Sequence, residues 1–202
     1  MKTIISLCDY TGNWAKPYAE AGYDVVLVDP KREDGMDVQT FATQASHYAG
    51  QVQGILMAPP CTHFAGSGAQ YWRAKDADGR TAEGVEIIQA CLDIKDIIQP
   101  QWWVLENPVG RLGKLFPDQL GKAKMYFNPC DYGDPYTKKT ALWGDFSANL
   151  KQTPVEPVMY TTSTGKRGSV QWAKLGGKSE RTKELRSTTP MGFAHAFFAA
   201  NP

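Results

Sequence analysis

The sequence predicts an α/β domain with a mostly parallel sheet and helices on both faces. Two short apolar runs, Thr3–Leu7 and Asp24–Val28, flank a helical stretch and so form a β-α-β unit. Two more apolar runs, at 54–58 and 102–105, stop abruptly at Pro59-Pro60-Cys61 and Glu106-Asn107-Pro108, as buried strands do. Residues 84–98, between them, carry apolar side chains at helical spacing. Strands alternating with helices in this order make a parallel sheet the economical arrangement.

Taken in order, Thr3–Leu7 is the first strand and residues 9–13 a turn. Residues 14–21 then read as a helix that Gly22 ends. The second strand, Asp24–Val28, runs into Asp29-Pro30. An acidic residue at that point of a β-α-β unit is placed to accept hydrogen bonds from ribose hydroxyls, although it can equally just end its strand. Gly12 is the only glycine in the turn, so the nucleotide-binding pattern is thin. Asp37, after a loop, is a further candidate polar ligand.

Residues 62–84 are rich in Gly, Ala and charge, show little periodicity, and read as a long active-site loop. In the helix at 84–98, Val85, Ile88, Cys91 and Leu92 share a face that Ile87, Ile94 and Ile98 widen, and Pro100 closes it. Strands are expected at 102–105, 123–127 and 139–143. Residues 149–183 are rich in Pro, Gly and Thr and give no clear element. Thr189 and Pro190 read as the cap and first residue of an apolar helix through Ala200.

Composition bounds function loosely. At 202 residues and net charge +1, the chain suits one domain without a bulk electrostatic signature. The charge is uneven: between Ser147 and Arg186, eight Lys and Arg residues face three glutamates, which is either a solvated surface or a face for phosphates. No apolar stretch is long enough for a bilayer, and the first residues lack the pattern of a signal peptide. Four scattered cysteines, with no CxxC pair, fit a reducing cytoplasm. Cys8, Cys91 and Cys130 read as small buried hydrophobes, and Trp72, Trp102, Trp103 and Trp143 as core. His63 lies two residues from Cys61, but no complementary ligand pair follows, so no metal is expected. His47 and His195 read as surface or packing residues.

Cys61 and Glu106 both fall just beyond strand ends, the edge where open α/β sheets bind ligands. A thiol with a nearby acid suits covalent chemistry on an electrophilic ring or carbonyl.

In this order the segments resemble the cytosine-C5 methyltransferases, in a short form like those of phage genomes. Residues 6–12 (Ser-Leu-Cys-Asp-Tyr-Thr-Gly), Glu20-Ala21-Gly22 and Val28-Asp29 resemble the family's S-adenosylmethionine motif. Asp37-Val38 resembles its adenine-holding segment, Pro59-Pro60-Cys61 its Pro-Cys segment, and Glu106-Asn107-Pro108 its Glu-Asn-Val segment. Residues 131–135 resemble the lead-in to Gln-x-Arg-x-Arg, and residues 186–190 the late Arg-x-Leu-Thr-Pro.

The resemblance implies a Rossmann-like S-adenosylmethionine-dependent methyltransferase fold, a single domain over 1–202, with a last antiparallel strand in the sheet. It implies that Cys61, Glu106 and Lys138 are catalytic. Leu7, Asp9, Thr11, Gly12, Trp14, Asp29, Pro30, Asp37 and Pro59 would hold S-adenosylmethionine. Pro60, Thr62, His63, Asn107, Lys138 and Arg186 would meet the target base. The partner would be DNA, either single-stranded or a duplex with the cytosine flipped out, in the cytoplasm of a bacterial host. RNA or a free cytidine nucleotide, or a non-catalytic binding role, are the alternatives.

The chain departs from the family pattern in places. Cys8 stands where the family has Phe, and Thr62 where it has Gln. Residues 136–140 read Tyr-Thr-Lys-Lys-Thr in place of Gln-x-Arg-x-Arg. Lysine lacks the planar fork of arginine. The target-recognition segment has room only for 147–185, and no terminal Gly-Asn-Ser motif is visible.

Overall fold

The computed structural model describes residues 2–33, 35–161, 163–165, 167–169 and 180–202. Six strands, β1 (Thr3–Leu7), β2 (Asp24–Val28), β3 (Val52–Met57), β4 (Trp102–Pro108), β5 (Met125–Phe127) and β6 (Thr140–Asp145), form one sheet in the order β2-β1-β3-β4-β6-β5. The first four are parallel, and β6 runs antiparallel to both β4 and β5. This is the expected fold class, and β6 is the one strand that runs against the other five, as expected.

Alternation along the strands sends side chains to two cores. Ile5, Leu7, Ile55, Met57, Leu105 and Trp143 pack under α2 (Val38–Ala42) and α4 (Arg80–Ile98). Ile4, Leu56, Trp102, Val104 and Leu142 pack under α1 (Lys16–Glu20) and the last helix (Met191–Ala200). In the second core Phe127 stacks on Phe193 with ring centroids 3.9 Å apart. Gly54 lies opposite Trp102, and a Cβ there would sit 2.1 Å from the indole, so glycine is what lets that ring lie across the strand.

Several sequence expectations change. Residues 62–84 are not an unstructured loop. They form a 3₁₀ turn (Gly66–Tyr71), the helix α3 (Trp72–Ala77) and the start of α4, which begins after Gly79 at φ +88°. Strand β4 continues through Pro108 because β6 pairs with it as far as Thr140. Pro190 is the extended cap of the last helix rather than its first residue. The stretch 149–183 contributes a small hairpin of β7 (Met159–Thr161) and β8 (Arg167–Ser169), while residues 170–179, with Lys174 and Lys178, lie outside the described residues. A short helix α5 (Leu112–Leu115) follows β4, α6 (Glu180–Ser187) follows the hairpin, and the Met191–Ala200 helix is α7. Among the described residues no helix is long and apolar enough to cross a membrane.

Candidate active site

Parallel pairing brings Asp9, Asp29 and Cys61, past the ends of β1, β2 and β3, to one edge of the sheet together with Glu106, which lies within β4 just after its pairing with β3 ends at Leu105. Chain order reverses between β1 and β3, and a crevice opens at that point in such sheets.

The Cys61 and Glu106 segments are tied together. Asn107 is fully buried, and its Nδ2 donates to the Pro59 carbonyl at 3.0 Å. Gly66 N–H donates to Val109 O (2.9 Å), and Arg111 N–H to Phe64 O (3.0 Å). The Arg111 Nε donates to His63 O at 3.1 Å. Its two terminal nitrogens hold the Asp76 carboxylate at 2.8 and 2.7 Å, and its plane lies over Trp72 at 4.7 Å. Trp72 is therefore a platform for Arg111, not core. The Cys61 carbonyl accepts from Phe64 and Ala65 N–H, which fixes the turn behind the thiol.

Lys138, just before β6, places Nζ 3.8 Å from Glu106 Oε1, with both side chains largely buried. Its strand is positioned from both sides: Val109 N–H donates to Lys139 O, and Thr137 N–H donates to the buried Ser169 Oγ of β8. Burial raises the Glu106 pKa, while Lys138 and Thr140 pull it down. Burial likewise pushes the Cys61 thiol up and Glu106 adds to this, against Lys138 and Arg186, whose positive charges favour the thiolate. The structure thus brings Cys61, Glu106, Lys138, Asn107 and the exposed Arg186 of α6 to one place. Pro60 and Thr62 flank Cys61 on the solvent side.

The turn after β1 is organised from within. Asp9 is buried and accepts from Ser6 Oγ (2.9 Å), Gly12 N–H (2.9 Å) and Thr11 Oγ1 (3.4 Å). Its pKa is raised by burial against these bonds. Asp9 builds the turn more than it offers itself to a ligand. Gly12 has φ +71°, and a Cβ there would sit 3.0 Å from Leu27 Cδ1. Asp29 accepts from Lys31 N–H through Oδ1 alone (2.9 Å), and its neighbour Pro30 is exposed.

Three expectations are corrected here. Leu7 and Trp14 are fully buried in the two cores, Trp14 against Phe193 and Phe197, so neither presents its side chain to a cofactor. Asp37 caps α2, with Oδ1 taking Thr40 N–H and Oδ2 the Thr40 hydroxyl, and these bonds hold its pKa down. His63 packs against the start of α4, its charged neighbours being Lys75, Arg80, Glu83 and Arg111 rather than Glu106 or Lys138. Sequence reasoning missed Arg111, Thr140 and Lys75. No local pattern marks them, since each acts through a tertiary contact. Among the described residues no group of three His, Cys, Asp or Glu side chains could hold a metal ion.

No protein-family model matches the chain, and no curated protein does. Among solved structures it is similar to a protein described as a candidate DNA modification methyltransferase encoded within an E. coli prophage. The identity is 17%, covering 93% of this chain and 70% of that one, with a TM-score of 0.47. At that distance the chemistry has to be read from this chain's own residues.

Proposed function

We propose that the protein methylates C5 of cytosine in DNA, with S-adenosylmethionine as donor, through a covalent bond between Cys61 and C6. The observation that carries this reading is a thiol and a buried, cation-paired carboxyl laced together at adjacent strand ends, beside the crevice of a parallel sheet.

C5 of cytosine is a poor nucleophile until a nucleophile adds at C6. The Cys61 thiolate supplies that group. As the S–C6 bond forms, the ring electron pair moves toward N3, where Glu106 delivers a proton. A carboxyl whose pKa burial has raised is suited to hold that proton. C5, now enamine-like, takes the methyl group. The C5 proton then leaves to solvent, N3 returns its proton to Glu106, and the S–C6 bond breaks to restore the thiolate. Lys138 and Arg186 serve the two moments at which Cys61 carries negative charge.

The residues at the crevice fit the cofactor. The turn at 9–12, with a left-handed glycine that a side chain would crowd, and Asp29, with one carboxylate oxygen that has no protein donor among the described residues, would hold it. Pro30 and Pro59 border that space in the sequence order of the strand ends. When bound, S-adenosylmethionine supplies an electrophilic methyl on a sulfonium sulfur.

The β7–β8 hairpin, tied to the Lys138 segment through Ser169, brings the exposed Arg167 to the side of the site. A cytosine within a duplex would have to be flipped out to reach Cys61. The test is transfer of labelled methyl to duplex DNA, single-stranded DNA, tRNA and dCMP in parallel, with trapping on DNA that contains 5-fluorocytosine. Fluorine blocks the loss from C5, so a denaturation-resistant adduct should form and should vanish in Cys61→Ser together with methyl transfer. Full activity of Cys61→Ser would remove the nucleophile. Transfer to tRNA or dCMP alone would move the substrate away from DNA.

A further inference from the structure

Lys75 is the unexplained charge of this site. It lies on α3, only 8% exposed, a burial that lysines reach rarely without a partner. The carboxylates near it are already engaged: Asp76 with Arg111 and Asp78 with Arg80. Lys75 forms no ion pair among the described residues. Its Nζ donates instead to the carbonyl of Thr62, at 2.5 Å, one residue beyond Cys61. A buried ammonium held by a neutral carbonyl is an expensive arrangement unless a negative charge appears beside it.

We propose that Lys75 is a positioning residue for Cys61, its ammonium pinning the Thr62 carbonyl behind the nucleophile and supplying positive charge from the α3 side as the thiolate forms. The proposal rests on the reading of Cys61 as nucleophile. It gives the thiol three cationic neighbours on three separate elements: Lys138 ahead of β6, Arg186 on α6 and Lys75 on α3. Glu106 on β4 is the opposing negative charge. Around Lys75 itself stand His63 two residues after Cys61, Arg80 at the start of α4, Arg111 after β4, and Asp78. Burial and the two guanidiniums lower the pKa of Lys75, whereas Cys61 and Asp78 raise it, so the ammonium and the thiolate favour one another.

The test needs neither DNA nor S-adenosylmethionine, so it stands or falls separately from methyl transfer. The full chain and its Lys75→Met, Lys75→Gln and Lys75→Arg variants are treated with iodoacetamide from about pH 6 to pH 10, the range in which free thiols titrate. Alkylation of the Cys61 peptide is followed by mass spectrometry, with the Cys8 peptide as internal reference and circular dichroism as the check on folding. In Lys75→Met and Lys75→Gln the Cys61 profile should move to higher pH, with the rate near neutrality down about 3- to 10-fold. Lys75→Arg should stay close to the parent. Glutamine, one bond shorter, offers an uncharged donor in place of the ammonium, so it remains informative even where methionine fails to fold. A parent-like profile in Lys75→Gln overturns the proposal.

Discussion

Asn107→Ala should separate stability from catalysis. The side chain is fully buried and, among the described residues, makes one bond, Nδ2 to the Pro59 carbonyl at 3.0 Å, while its Oδ1 is buried with no partner among them. Truncation leaves the Pro59 carbonyl short of its donor, at a cost of about 1–3 kcal/mol. It also removes an unpaired buried oxygen, which returns a similar amount. The unfolding free energy should therefore change by no more than about 2 kcal/mol in either direction. Catalysis has no such offset. The Asn107–Pro59 bond is the side-chain tie between the Glu106 strand and the residues leading to Cys61. A displacement of about 1 Å at a reacting atom costs roughly 100-fold in rate. Urea denaturation gives the first quantity and single-turnover methyl transfer the second. A rate within about twofold of the parent would show that Asn107 does not place Cys61. A stability loss above about 4 kcal/mol would show that Oδ1 is not the unpaired atom the offset requires.

Glu106→Gln should slow the chemical step far more than it weakens cofactor binding, as single-turnover rates against calorimetry would show, and parent-like rates would make Glu106 structural. It should also change the pH dependence of stability. Burial raises this carboxyl above its ordinary 4.5, so its contribution is fully present below that value and is lost as pH rises through the folded-state value. The parent should thus lose stability relative to Glu106→Gln as pH climbs from about 4.5 toward neutrality, and urea melts showing a constant gap would refute this. Asp29→Ala should weaken S-adenosylmethionine binding by about 10- to 100-fold, the worth of a hydrogen bond to a charged group. Asp37→Ala should instead lower stability by removing the cap of α2, with little effect on affinity. Calorimetry that finds the larger affinity loss at Asp37 would reverse these roles.

The parts of the fold that the sequence makes legible are those decided by local pattern. Strands β1 and β2 lie where their apolar runs predict: β1 is buried along nearly its whole length, as a continuous apolar segment in a parallel sheet should be, and β2 is the half-buried edge strand beside it. Helix α4 ends at Ile98, before Pro100, as its spacing requires. The end of β4 is hidden, since Glu106, Asn107 and Pro108 look like a strand terminus and are in the ladder only because β6 returns beside them. Helix α3 is hidden for another reason: Trp72–Ala77 has no apolar stripe, and its buried side chain is a lysine. Cys61, Glu106 and Lys138 could be singled out from the sequence, and the structure brings them together. That Asp37 is a cap and Trp14 is core depends on which neighbours the chain brings to them.

The main-chain bonds between the segments after β3 and β4 bear on how this protein can diverge. Gly66 to Val109 and Arg111 to Phe64 are backbone contacts, so most side-chain replacements along them leave the spacing between thiol and acid untouched. Val109, exposed at 39%, can drift freely. Gly110 cannot, because a Cβ there would lie 1.9 Å from the Phe64 carbonyl, and proline is barred at 66 and 111, where an N–H is needed. The spacing of Cys61 and Glu106 is thus held by two backbone amides and one glycine together with the Asn107 side chain. Substitutions on the surrounding surface can accumulate while Cys61 and Glu106 stay in register.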